Sequence, residues 1–351
     1  MKQDSNHILN SNKDRKVTFE ELHIRHLNLL MELRSEKLNN WFLKMAIINT
    51  FEDLKIFLNN LKKNKHKCII AIEEKKIVGY LNIFPLNFKG SCLRISKPNL
   101  TTIKSSITEK DLILGLIKKS ISITDIKTTS WVINSDIENN YLISSARELG
   151  FQPLQKVKLW SKNNINKSIK NKNKNYYFID EFQAITKLNL LNVLNFIRSN
   201  QSPLIRTILD LDQKDISNRN DSNSGAIIHN NAVLCTILKD INFQDNKIYT
   251  LTIGKSWDVR LSPILKNILN KFFEKSPYSI IKTYEENTEL NTYLENSGFR
   301  DNYQEIILVR NTIVRNESKQ TNKINQSLES IFEKLNPQGN AYPSPFPLKS
   351  K

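Results

Sequence analysis

Cysteine is nearly absent from this chain. Cys68, Cys92 and Cys235 are scattered, odd in number and without CxxC spacing. That excludes a disulfide framework and a cysteine-based zinc site, and it fits a reducing compartment. Histidine is as thin. His23-x-x-His26 could share a ligand at helical spacing, but no third histidine, cysteine or paired acid accompanies it. A surface pair is the expectation, with no metal. No apolar run approaches the ~20 residues of a membrane span. The opening Met1-Lys2-Gln3-Asp4-Ser5-Asn6 is polar and lacks the apolar segment of a secretory signal. A cytoplasmic protein without membrane association is expected.

Glycine is sparse too, at 8 residues in 351, while Lys, Asn and Ile abound. This composition frames the net charge of +17. A nucleic-acid partner is one reading, because clustered Lys and Arg neutralise phosphates and release counterions. AT-rich coding bias is the other, and it is preferred. The lysines are spread or gathered in one linker, with no stripe of interleaved aromatics. Hydrophobic content of 39% and charged content of 25% are ordinary for a globular protein. The length fits two or three domains of ~100–200 residues.

What is present is a repeat. Lys247–Asn311 reads as a strand (Ile248–Ile253), a polar turn, an amphipathic helix (Pro263–Phe273), a strand (Tyr278–Thr283), a short helix ending at Gly298-Phe299, and a strand (Gln304–Arg310). Asn99–Trp160 gives the same order and closes its short helix at Gly150-Phe151. The offset between the Gly-Phe pairs is 299 − 151 = 148. Carried back without a gap, it pairs Glu286-Asn287 with Glu138-Asn139, and Leu290 with Leu142. Self-similarity of this period marks a duplication.

The remaining elements extend each copy. In the first, Lys16–Leu22 is a strand and Ile24–Leu33 a helix; Phe51–Leu61 is a second helix. A hairpin (Cys68–Ile72, Ile77–Ile83) follows, with Gly79 marking a bulge or a close backbone approach. Thr108, with Asp111 three residues on, starts the next helix in a capping-box-like way. In the second copy, Tyr176–Asp180 is a strand and Leu188–Ile197 a helix. The polar run Asp212–Ser224 separates them from a hairpin, Gly225–His229 and Ala232–Leu238, that turns at Asn230-Asn231. Ser262-Pro263 is the best-marked helix start in the sequence, with serine at the N-cap and proline at N1. The Lys/Asn run Lys162–Asn175 is a solvated linker. The expected organisation is a disordered 1–15, a first domain 16–161, the linker 162–175, a second domain 176–312, and a tail 313–351. That tail holds one amphipathic helix (322–335) and a Pro-rich end.

Each unit thus reads β–α–α–β–β–β–α–β–α–β. That order, with the Asn…Gly-Phe end (Asn287…Gly298-Phe299 and Asn139…Gly150-Phe151), resembles the GNAT superfamily of acyl-CoA-dependent N-acyltransferases. The resemblance implies an α/β fold of mixed sheets, two such domains in tandem. It also implies acetyl-CoA or another acyl-CoA as co-substrate, and an amine as acceptor. In such a fold a central strand pairs with the pantetheine arm, and the next helix offers its N-terminal amides to the pyrophosphate. A base then takes the ammonium proton.

Here the sequence departs from the family. Aligned on Leu116-Ile117 and Ile264-Leu265, its phosphate-loop positions read Thr108-x-x-Asp111-x-Ile113 and Ser256-x-x-Val259-x-Leu261. The family's Arg/Gln-x-x-Gly-x-Gly/Ala is missing from both copies. The usual tyrosine before the Gly-Phe is Ala146 in one copy and Leu294 in the other, with Tyr293 one position away. The first copy's loop carries Asp111 and a filled cap, while the second offers Arg260 beside the Ser262-Pro263 helix start, so any acyl-CoA is expected on the second unit. Leu251, Thr252 and Ile253 would lie on the pantetheine, Arg260 and Ser262 would face the phosphates, Asn287 would complete the cofactor-binding set, and Glu285 or Glu286 would be the base. Two other readings stand beside it. One is a catalytically degenerate tandem pair serving as a binding or scaffold module; the other is a basic RNA- or ribosome-associated protein.

Overall fold

The computed structural model describes residues 17–30, 66–101, 105–123, 127–162, 182–241, 247–255 and 262–312. The expected helix 51–61, strand 176–180, most of the linker, the helix 322–335 and the tail lie outside them, as does Arg260. Residues up to Asn311 belong to one unit, distinct from 312–351.

Strand β1 (Thr18–Glu21) is followed by a 3-10 turn and the helix α1 (Leu27–Leu30), where the described residues break off. Strands β2 (Lys67–Glu73) and β3 (Lys76–Pro85) form the expected hairpin. Its register slips between Ala71 and Ile72, beside the partner Gly79. A Cβ at Gly79 would come within 3.0 Å of the Leu100 side chain, so this glycine serves a close approach. Then come β4 (Cys92–Ile95), the short β5 (Asn99–Leu100), α2 (Glu109–Ser122), β6 (Ser130–Asp136), α3 (Asn140–Glu148) and β7 (Gln152–Lys162).

The second half begins at β8 (Phe182–Gln183) and continues with α4 (Leu190–Ser199), α5 (Pro203–Leu209) and α6 (Gln213–Arg219). A hairpin of β9 (Gly225–His229) and β10 (Ala232–Lys239) turns at Asn230 and Asn231, both at positive φ as a tight two-residue turn demands. It ends with β11 (Ile248–Ile253), α7 (Ser262–Lys275), β12 (Ile280–Tyr284), α8 (Thr288–Asn296) and β13 (Phe299–Asn311). The polar run from Asp212 is therefore not a spacer throughout. Its first half is α6, started by a capping box in which Asp212 accepts from the Asp215 amide and Asp215 returns the bond.

The repeat holds from the long helices onward. The first-half counterpart of β11 is β4, which pairs parallel with β6 as β11 does with β12. It is not the expected strand at Asn99, which is the two-residue β5 on β3. Helices α3 and α8 match at the offset of 148 at both ends (288 − 140 and 296 − 148). Each closes on a glycine at φ +84°, Gly150 and Gly298, followed by a buried phenylalanine, Phe151 and Phe299. Helices α2 and α7 match at 153 instead (262 − 109 and 275 − 122). The buried Leu112 and Leu116 then correspond to Leu265 and Leu269. The ungapped alignment of the loops before these helices is thus off by five residues, and the difference is absorbed between helix and following strand.

Among the described residues, all thirteen strands belong to one mixed sheet, in the order β1-β2-β3-β4-β6-β13-β7-β12-β11-β10-β9-β8, with β5 on β3. The last strand of each half lies in the other half's territory. Strand β13 pairs antiparallel with β6 from Glu305↔Asp136 to Asn311↔Ser130. Strand β7 pairs antiparallel with β12 from Ile281↔Trp160 to Tyr284↔Val157. The two long strands also pair with each other. Burial follows the exchange: Leu308 of β13 packs in the first core under α2 and α3, and Trp160 of β7 packs in the second under α7 and α8. In the second core Leu265, Leu269, Phe272 and Phe273 are buried, each contributing about 1.5–3 kcal/mol over an exposed side chain.

Candidate active site

The sheet contains two parallel contacts, and each opens into a fork. In the second half β11 and β12 pair at Ile248↔Ile280, Tyr249↔Ile281 and Thr250↔Lys282, and the pairing stops there. Leu251, Thr252 and Ile253 remain paired to β10 on their other side, at Ile237, Thr236 and Cys235. Their backbone edge toward β12 faces the fork. Counting on from the last pair sets Ile253 level with Glu285. The end of β12 is fixed from beneath: Trp160 Nε1 donates to Thr283 Oγ1 (2.8 Å), and Thr283 Oγ1 donates to Asn291 Oδ1 (2.6 Å). Asn291 Nδ2 in turn donates to the carbonyls of Tyr284 (3.0 Å) and Glu285 (3.2 Å). On the far side, the Glu285 amide donates to Lys156 O at 3.0 Å.

The structure thus brings Leu251, Thr252, Ile253 and Glu285 to the two arms of one fork. Glu285 is partly exposed, with Lys156 Nζ 3.7 Å from its carboxylate; Glu286 is exposed. Asn287 begins α8 without capping it, whereas Asn139 accepts the Leu142 amide in α3. Ser262 is the first residue of α7, and its carbonyl accepts from Tyr293 Oη at 2.8 Å. Tyr293 therefore reaches the start of α7 despite its one-position displacement from the family's tyrosine.

The first half's fork is differently furnished. Strands β4 and β6 pair from Cys92↔Ser130 to Ile95↔Ile133 and then part. Beyond the parting, Lys97 Nζ bridges Asp136 (2.7 Å) and Glu305 (2.9 Å) across the gap. Before α2, the Glu73 carboxylate accepts from the Ser106 amide (3.0 Å) and the Ser105 hydroxyl (2.7 Å). An internal anion thus occupies backbone that a phosphate would need. Thr108 caps α2 by accepting from the Asp111 amide, and Glu109 and Asp111 put two carboxylates in the first turn. Those charges oppose a second anion there.

A cavity of about 80 Å³ lies on the face of the second fork opposite α7. Both arms line it, through Thr250 and Thr252 on β11 and Lys282 and Tyr284 on β12. Its roof comes from α5 and α6, its floor from Val132, Ile307 and Val309 of β6 and β13. Buried charge gathers at one end. Asp240 pairs with Lys282 through a short contact, and Arg94 Nη1 of β4 stands 3.7 Å from Asp240 while donating to Ile241 O (2.6 Å). Arg219 of α6 donates to Leu86 O (2.9 Å). Burial raises the Asp240 carboxyl, but Lys282, Arg94 and Arg219 outweigh it and hold the group well below the usual range. Burial lowers Lys282, and Asp240 only partly restores it. Burial, then the Asp240 charge, push the Tyr284 phenol up to about 12. Tyr284 thus keeps its proton at neutral pH.

This cluster was not legible in the sequence, because residues 94, 219, 240 and 282 meet only through the shared sheet. Among the described residues no group of His, Cys, Asp and Glu could hold a metal, and no helix is long and apolar enough to cross a membrane.

No family model matches the sequence, and no curated protein matches it. Among solved structures, a tandem GNAT protein from the clavulanic acid biosynthesis pathway is 10% identical with a TM-score of 0.49, covering 84% of this chain and 98% of its own. A GCN5-related N-acetyltransferase from Sphaerobacter thermophilus is 8% identical with a TM-score of 0.45, covering 74% and 85%. The N-myristoyltransferase of Saccharomyces cerevisiae is 11% identical with a TM-score of 0.40, covering 72% and 69%.

Proposed function

We propose that the second half transfers an acyl group from acyl-CoA to an amine at the fork between β11 and β12. The observation that carries this reading is the parting of two parallel strands after Thr250↔Lys282, with a lined cavity on one face and the start of α7 nearby. The co-substrate supplies an activated thioester; the chain supplies position and proton transfer. The backbone edge of Leu251, Thr252 and Ile253 would pair with the amides of the pantetheine arm. The amides at the start of α7, from Ser262, would meet the phosphates, together with Arg260. Glu285, held level with Ile253 by the Asn291 bonds, accepts the proton that the acceptor ammonium sheds, and the free amine then attacks the thioester carbon. Glu286 lies farther toward solvent. Tyr284 lines the cavity with its proton in place and would donate a hydrogen bond to the leaving thiolate, whose own proton comes from solvent.

The degenerate scaffold reading keeps one specific support. The first half's fork is bridged by Lys97, and its phosphate position is filled by Glu73. In this account that half is the structural partner. The test is thiol release from acetyl-CoA with a panel of amines. A wild-type turnover that falls about 100-fold in Glu285→Gln, with KM for acetyl-CoA little changed, is expected. Equal rates in both proteins would remove Glu285 from the mechanism.

A further inference from the structure

The charges lining the cavity do not balance. Among the described residues, Arg94, Arg219, Lys239 and Lys282 line it against one carboxylate, Asp240. Asp215 lies behind Arg219, but its oxygens are engaged by the amides of Phe88 (2.5 Å) and Asp212 (2.7 Å). Among the described residues, three of the eight buried polar side-chain atoms without a partner belong to residues of this one cavity: Arg94 Nε, Arg219 Nε and Gln155 Oε1. Two are guanidinium donors. A buried donor left unsatisfied costs about 1–3 kcal/mol, and more when charged, and the two guanidinium groups beside this cavity hold more donor capacity than the protein acceptors around them use. The opposite wall is apolar, formed by Val132, Ile208, Ile307 and Val309.

We propose that this cavity recognises an anionic group, a carboxylate or a phosphate, on the acceptor amine, with Arg94, Arg219 and Lys282 as its ligands and the apolar wall taking the acceptor's carbon body. Guanidinium groups suit both anions, because their forked N–H geometry matches two oxygens at once. One arginine comes from each half of the repeat, so the tandem arrangement itself completes the site. The word acceptor rests on the acyl-transfer reading; the anion site does not.

The experiment has a binding arm and a turnover arm, both on the full chain. In the first, thermal melting is followed with inorganic phosphate and with isovalerate, at ionic strength matched with chloride. A rise of a few degrees with either probe is expected, lost in Arg94→Gln and partly kept in Arg94→Lys. Response to phosphate alone names a phosphoryl acceptor, and response to isovalerate alone names a carboxylate. In the second, L-leucine, L-leucinamide and O-phosphoethanolamine are compared as acceptors of the wild-type protein, which needs no variant to fold. An anionic acceptor should win over the amide by about 10- to 100-fold in kcat/KM. Anion binding without any acyl-CoA binding would keep the anion site and remove the acyl-transfer reading. Absence of a melting shift with both probes, or a shift unchanged in both Arg94 variants, would overturn the anion site even if acyl-CoA binds.

Discussion

Asp240 ties the cavity together. It is 8% exposed and is the common partner of Lys282 and Arg94. Two contacting cations without it would be buried charges lacking compensation. Breaking such an arrangement by removing one partner costs about 3–5 kcal/mol. Asp240→Asn should therefore lower unfolding stability by that order in a urea titration. The pH dependence has a definite sign. A carboxyl held below its unfolded value of about 3.9 contributes stability that is fully present above that value. That contribution is lost as pH falls from there through the folded value. Wild-type stability should drop more steeply than that of Asp240→Asn between about pH 4 and about pH 2, and parallel acid limbs would contradict the assignment. Of the single residues named from sequence, Leu251, Thr252, Ile253 and Glu285 meet at one fork, because strand pattern and the Asn…Gly-Phe end are local signals. The cationic cluster is not local, and no window of sequence contains it.

At the scale of elements, the exchange of β7 and β13 is the feature a repeat alone does not reveal. Hydrophobic spacing marks both as strands, but either neighbour satisfies that spacing, and sheet partner is decided by long-range pairing. Helix α6 was missed for a different reason. Its seven residues are too short for periodicity to register, and its cap uses aspartate where the sequence signature calls for Glu or Gln. The exchange has a consequence for truncation. A chain ending at Lys162 would leave β6 without β13 and the first core without Leu308; it would also project β7 as an unpaired edge. Residues 1–162 expressed alone should aggregate or melt without cooperativity, and co-expression with 163–351 should restore a soluble complex. A monomeric, cooperatively melting 1–162 would contradict the interdependence of the halves.

At the scale of the whole molecule, the net charge of +17 and the forked sheet invite different functions. If the charge were a nucleic-acid footprint, RNA affinity would fall with salt at a log–log slope of about −0.7 per phosphate neutralised and would survive at physiological salt. Weak, sequence-tolerant binding that vanishes there is expected. Replacing residues 163–175 with a Gly/Ser linker, and so sparing Lys162, which ends β7, should remove most of it, as filter binding across a salt series would report. Tight RNA binding at physiological salt would promote the basic-protein reading over the enzyme. The two halves share one sheet and, from α2 and α7 onward, one order of elements, yet their forks differ in what fills them, so acyl-CoA should protect one half alone. Amide hydrogen exchange of the full chain with and without CoA reads this directly. The account predicts CoA-dependent protection in peptides spanning 248–255 and 262–275, with 92–101 and 105–122 unchanged. Protection centred on the first-half peptides, or none anywhere at saturating CoA, would contradict it.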